Sequence, residues 1–316
     1  MQQGCSAHCT SKMKISPVVV LSTLGPKGNA AAKLASQSTS HLVVRVPATI
    51  PGTMPSIDNP LTAPPPAEMP LARAPLEKVI AQINFPEILQ ITNPDKVAPF
   101  QECLRKIYPF LKKESIHQFV EVGGSFSTAS QTVWRLTDGT GSWTVSLATN
   151  FLGIETTHYT SRADFLARIG DAIGALEEVF EPPEASRLGI RYIDRVKDLD
   201  LSDIALMLRS EVKGITGLPF ADSAQIAITE SRFDLEEGIL LARWGHLSKN
   251  SCHDQALEPV DQPSWVLDLD MFTSKPIKFS RSAILECSES YAKRIYTFFR
   301  WAVNSDFLSH FESNLP

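Results

Sequence analysis

Three arginines recur at every fourth position in the segment Arg187-Leu188-Gly189-Ile190-Arg191-Tyr192-Ile193-Asp194-Arg195. In a β-strand successive side chains alternate between faces, so Arg187, Arg191 and Arg195 share one face with Gly189 and Ile193. Leu188, Ile190, Tyr192 and Val196 take the other, which is the core face. At ~3.3 Å per residue the guanidiniums form a stripe about 26 Å long. Planar arginine forks match carboxylates and phosphates, which makes the stripe a candidate anion-binding surface. The alternative is a solvated structural ladder in which each arginine pairs across strands with a carboxylate. Asp268 and Asp270 lie two apart on one strand and, with Glu155, are the candidate partners. The ladder is the stronger expectation.

Asp268-Leu269-Asp270 also admits a metal reading, because two carboxylates on one strand face can ligate Mg²⁺ and orient a phosphate. The flanking residues lack the Gly-Ser element of nucleotidyltransferases, and no Glu-x-Glu-x-Lys strand of tunnel-type triphosphatases occurs. Salt-bridge partners of the arginines are therefore the preferred role for both aspartates. His158 beside Tyr159 could act as an acid or base, but no serine elbow or neighbouring cysteine completes a catalytic set. His246, Cys252 and His253 fall in a Ser/Lys/Asn-rich stretch whose spacing fits no zinc pattern. Gly25-Pro26-Lys27-Gly28 lacks the spacing of a phosphate loop, and Gly123-Gly124-Ser125 reads as a turn. No cofactor is expected.

Composition narrows the partners. The chain has 316 residues and a formal charge of −5. Residues 1–69 carry five basic and two acidic residues, so the remaining part is the acidic one. General nucleic-acid binding, which needs many phosphate contacts, is not expected. Five widely spread cysteines suit a reducing cytoplasm, and no apolar run approaches the roughly 20 residues needed to span a bilayer. Residues 15–24 imitate a short leader, but Pro17 and Ser22 interrupt the apolar run.

Residues 1–69 read as a disordered Pro/Ser/Ala-rich tail, with Met54 and Met69 as alternative starts of translation. From Pro75 onward the periodicity is ordered. A strand over 76–85 is followed by a helix capped at Asn93 or Asp95 and running to Lys112. Strands are expected over 116–122, 132–137 and 142–159, the last kinked near residues 150–153. Asp138-Gly139-Thr140-Gly141 marks a hairpin turn, and Ser161 caps a helix to Phe180. The same order then recurs: a strand over 186–196, a helix after Ser202, strands over 225–235, 239–247 and 265–272, and a helix from Ser280 or Ser282 to Phe311. This is an α+β chain, with antiparallel sheet and helices on one side, built from a duplicated β-α-β-β-β-α unit. The repeats occupy 70–184 and 185–316.

Pro75-Leu76-x-x-Val79 with Ile83-x-Phe85, the run from Phe151 to Ser161, Arg187-Leu188-Gly189-Ile190-Arg191-Tyr192-Ile193 and Val266-Leu267-Asp268-Leu269-Asp270 together resemble a known set. It is a sporadically distributed family of uncharacterised bacterial and archaeal proteins with a central "RLGLRYI"-like motif. The resemblance spans roughly residues 70–313. It implies the extent of the fold and assigns no activity, so it transfers no catalytic residues. By analogy of element order, the chain is similar to TATA-binding-protein-like or helix-grip architectures. The functional expectation is a non-catalytic binding or regulatory module acting with a protein partner. The alternative is a metal-dependent phosphate- or nucleotide-handling enzyme using Asp268, Asp270 and the arginines.

Overall fold

The computed structural model describes residues 57–122 and 125–312, leaving aside the side chains of 117–129. The first strand, β1 (Leu76–Asn84), buries Val79, Ala81 and Ile83 in the expected alternation. Asn93 caps α1 (Pro94–Leu104), its side-chain oxygen accepting from Asp95 N–H at 3.0 Å. The helix ends well before Lys112. Pro109 disfavours helical backbone in the residue before it, and β2 (Phe110–Val122) begins at once. Ile107 and Leu111, within the span expected to be helical, are left exposed.

β2 pairs along its whole length with β3 (Ser125–Thr137), so both strands are longer than their periodicity implied. The expected turn at Gly123-Gly124 lies outside the described residues. The long kinked strand over 142–159 is a hairpin instead: β4 (Trp143–Ala148) reverses through Thr149 and Asn150 into β5 (Phe151–Thr156). The reversal sets Leu147 opposite Leu152. The chain leaving β1 clamps the turn, Phe85 N–H donating to Asn150 O at 3.1 Å and Ile88 N–H to Thr149 O at 2.7 Å. Ser161 then caps α2 (Arg162–Phe180) as expected.

After the short β6 (Glu184–Ala185) come β7 (Arg187–Val196), α3 (Leu201–Met207) and α4 (Ser210–Lys213). Strands β8 (Ile226–Asp234), β9 (Ile239–Leu247) and β10 (Ser264–Phe272) follow, then β11 (Ile277–Lys278), α5 (Arg281–Ala302) and α6 (Ser305–Glu312). Two expected helices are broken by one contact. Leu208 ends α3 and Val303 ends α5, both in extended backbone, and they form an isolated antiparallel bridge. Asn304 restarts the helix, its side-chain oxygen accepting from Asp306 and Phe307 N–H.

All long strands among the described residues join one antiparallel sheet of nine, ordered β2-β3-β4-β5-β1-β7-β10-β9-β8. The order mirrors about the central β1–β7 pair. In each half the first strand is central, a helical crossover carries the chain to the outer edge, and a meander returns it to the centre. The first half makes that return with one strand more. The apolar face packs on α2 and α5, around Phe165, Ile190, Trp265, Leu267 and Phe298. Among the described residues the opposite face carries no helix, and it holds the arginine stripe.

Part of the expected tail is fixed to this core. Arg294 on α5 donates to the carbonyls of Pro60 at 2.9 Å and Ala63 at 3.0 Å. The Tyr296 hydroxyl accepts from Met69 N–H at 2.8 Å, and Glu68 pairs with Arg162 on α2 at 2.6 Å. Residues 57–69 thus act as a brace across the helices, although their proline content predicts no regular element. Deleting residues 1–69 should lower the melting temperature by several degrees relative to deleting 1–56. Equal melting temperatures for the two truncations would show that the brace contributes nothing.

Candidate functional site

The central arginine, Arg191, meets its carboxylate diagonally. Its direct neighbour on β10 is Asp270, while Asp268 stands opposite Ile193. Arg191 reaches past Asp270 and grips Asp268 through two parallel hydrogen bonds, Nε to Oδ1 at 2.7 Å and Nη2 to Oδ2 at 2.7 Å. This bidentate fork is the strongest geometry available to an arginine and a carboxylate. Asp268 is wholly buried and takes two further donors, Arg243 Nη1 at 3.2 Å and His253 Nε2 at 3.1 Å. Because the carboxylate can only accept, the proton in that last contact sits on His253 Nε2. Burial by itself would raise the Asp268 pKa. The hydrogen bonds from His253 and Arg191 and the charges of Arg191 and Arg243 override it and hold the carboxyl well below the usual range.

The network continues on both sides. Arg243 stands directly opposite Asp268 on β9 and pairs with Glu230 on β8, its other direct neighbour. Asp254, from the connection over residues 248–263, meets Arg191 Nη2 at 3.2 Å. Arg187 pairs with Asp270 at 3.1 Å and lies over the Phe272 ring at 4.5 Å. Gly189 makes this possible, since a Cβ there would meet Arg187 Nη1 at 2.5 Å and push the guanidinium off its partners. The glycine of the Arg-Leu-Gly-Ile-Arg motif thus has a packing role. The result is a line of alternating charge, Glu230–Arg243–Asp268–Arg191–Asp254, crossing four strands into one connection.

This face is not solvated along its length, as the ladder expectation supposed. Residues 248–263 lie over it, with Leu257 seated on Ile193, Leu247 and Val266 in a small apolar cluster of its own. Arg195 is 1% exposed beneath the connection. It donates to Ser264 Oγ at 3.1 Å and to Glu258 O at 2.6 Å, but reaches no carboxylate among the described residues, and its Nη2 has no hydrogen-bond partner there. Burial accordingly lowers its pKa. Glu155 is not a partner of the stripe. It lies beyond β1, on β5, and pairs with Lys78 at 3.6 Å. Of the sequence candidates, the structure therefore brings together Arg187, Arg191, Asp268 and Asp270, places Arg195 apart under the connection, and removes Glu155.

Both oxygens of Asp268 are already taken by cationic or N–H donors, so the Asp268–Asp270 pair does not suit a divalent cation. Among the described residues no group of three or more His, Cys, Asp or Glu side chains is arranged to hold a metal. His246 lies in β9, within the strand expected over 239–247, and contacts Ala224 O at 3.0 Å. Tyr159, beside His158, instead contacts the Tyr192 hydroxyl at 3.3 Å. Glu230 and Arg243 were missed from sequence because their membership depends on strand order, and His253 and Asp254 because theirs depends on where the connection over residues 248–263 folds. Searched against models of protein families and against curated proteins, the chain matches none.

Asp194, also missed, lies on the core side of β7 opposite Leu76 and Leu267 and is 8% exposed. No hydrogen bond reaches its carboxylate among the described residues. Burial, with the charge of Asp268 adding to it, pushes its pKa up to about 7.

Two outcomes follow from this geometry. Arg191→Ala and Asp268→Ala should each cost about 3–5 kcal/mol, because each strands a buried charge. The double variant should cost clearly less than their sum, as measured by urea midpoints, and strict additivity would mean the fork is not coupled. For Asp194 the folded pKa of about 7 exceeds the ordinary 3.8. The unfolded chain therefore releases this proton first, and native stability falls as pH rises from about 4 to about 7, by about 4 kcal/mol at most. Asp194→Asn should match the parent in urea near pH 4 and exceed it at pH 8. A difference independent of pH would place Asp194 in contact with solvent.

Proposed function

We propose that the protein is a non-catalytic binding module acting with a protein partner, which it meets through apolar side chains at the two ends of the sheet. One contrast carries this reading: Arg187, Arg191, Asp268 and Asp270, which could have handled a small anion or a metal, are paired with one another, while large apolar side chains stand in water. Ile107 (41% exposed), Phe110 (59%) and Leu111 (37%) cluster at the junction of α1 and β2. Leu206 (71%), Leu218 (43%) and Phe220 (60%) lie on the segment joining β7 to β8. Apolar exposure concentrated in this way marks interaction sites, and aromatic anchors dominate binding energy at such surfaces.

The alternating charge on the helix-free face offers no basic stripe for phosphates, which supports the absence of general nucleic-acid binding. No helix among the described residues is long and apolar enough to cross a membrane. A cytoplasmic setting completes the reading. The mirrored strand order supports an origin by internal duplication, and the resemblance to the family with the "RLGLRYI"-like motif is consistent with a protein lacking a catalytic set. The metal-dependent enzyme is disfavoured because its two aspartates are held by arginines.

The test is to tag the protein in the cell that makes it, cross-link, and identify any partner recovered in stoichiometric amount. Phe110→Asp and Phe220→Asp should keep the parental melting temperature, since both side chains are exposed, and at least one should reduce recovery tenfold or more. Undiminished recovery with both would remove the apolar clusters as the contact. A rise in melting temperature on adding Mg²⁺ or Mn²⁺, abolished by Asp268→Asn, would instead restore the enzyme reading.

A further inference from the structure

Strand β8 forms one edge of the sheet, with no strand beyond it among the described residues. The pairing with β9 fixes which backbone groups face outward. Leu235 and Gly238 exchange hydrogen bonds at 2.8 and 3.3 Å, and Ser248 N–H donates to Gln225 O at 2.9 Å. Antiparallel ladders alternate, so Ala227, Thr229, Ser231 and Phe233 turn their backbone groups to β9. Ile226, Ile228, Glu230, Arg232 and Asp234 turn theirs outward.

Edge strands of monomeric proteins are commonly guarded by charged side chains, lysine above all, or by proline, a bulge or short length; the charges of β8 are Glu230, Arg232 and Asp234, of both signs. β8 has nine residues, contains neither proline nor lysine, and keeps an unbroken register with β9. Its sequence is also self-complementary when run antiparallel about Ser231. A two-fold axis at Ser231 sets Glu230 of each copy opposite Arg232 of the other. Both are outward-bonding positions, so each such pair exchanges two backbone hydrogen bonds and brings opposite charges together on the helix-free face. Moving the axis one residue to Glu230 or to Arg232 sets like charges opposite each other, which is unfavourable. Both side chains are accessible for this contact: Arg232 is 60% exposed, with only Asp234 at 3.7 Å among the described residues, and Glu230 is 58% exposed.

We propose that two copies of this chain associate through β8 about a two-fold axis at Ser231, joining their sheets into one. The occupant of this edge is a second copy of the chain, and the contact is separate from the apolar clusters assigned above to another protein.

Sedimentation of the full chain over a concentration range tests this, with three samples: R232E alone, E230R alone, and an equimolar mixture of the two. Each variant alone sets like charges opposite twice in a homodimer, whereas the mixed pair restores opposite charges at both positions. The parent chain should dimerise, each variant alone should dimerise roughly tenfold more weakly or worse, and the mixture should recover association. A parent chain that stays monomeric at its highest soluble concentration overturns the proposal. So do variants that dimerise unchanged, or a mixture that does not recover. Glu230 also holds Arg243, so the melting temperature of E230R is checked first. Should E230R fail to fold, concentration-dependent exchange protection of the Ile228, Glu230, Arg232 and Asp234 amides in the parent chain decides. Protection independent of concentration overturns the proposal.

Discussion

A carboxylate with no exposed surface must be neutralised where it stands, and much of the helix-free face is arranged around that requirement at Asp268. The desolvation cost of such a group is several kcal/mol, and one cation in good geometry with further hydrogen bonds is needed to offset it. Arg191 supplies the fork, Arg243 a second charge and His253 an N–H. Each contributor comes from a different part of the chain: β7, β9 and the connection after β9. The register of β7, β10 and β9 and the seating of residues 248–263 are therefore tied to one side chain. A slip of one residue in β10 would send Asp268 into the apolar face.

The same strand holds two buried charges that lack this treatment. Arg195 has hydrogen bonds but no carboxylate among the described residues, and Asp194 sits among apolar neighbours with its proton retained to about pH 7. Both lie towards the end of β7, where β1 carries a register shift between Leu76 and Lys78 and Arg195 N–H donates to Pro75 O. The central pair of strands is thus tightly specified at Arg191 and less well satisfied at Asp194 and Arg195. Any opening of the sheet is expected to begin at that less satisfied end.

The mirrored strand order determines which surfaces remain for partners. It pairs the first strand of each half at the centre and sends the crossover products β2 and β8 to the rims. Helices cover one face, and ion pairs with one connection close part of the other. Open backbone groups and large apolar side chains are left near the rims, which is where both proposed contacts fall. An isolated β-edge of regular geometry is a template for another strand, so a protein that keeps one exposed either guards it or uses it.

Much of this was legible in the sequence where the physics is local. Period-two alternation assigned Leu188 and Ile190 to the core and the arginines to the other face, because successive side chains on a strand have no choice of side. Ser161 and Asn93 were readable as caps because a side-chain oxygen two or three residues before a free N–H serves it wherever the helix lies. The pairing of Arg187 and Arg191 with Asp270 and Asp268 could be anticipated from shared parity and opposite charge. Strand order could not. Nothing local states that β1 lies between β7 and β5, which removes Glu155, or that β9 and β8 follow β10, which admits Arg243 and Glu230. Nor does periodicity show that Leu208 and Val303 meet and break two helices, or that residues 248–263 fold over the arginines. Those outcomes depend on contacts between segments far apart in the chain, whose geometry is settled only when the whole sheet closes.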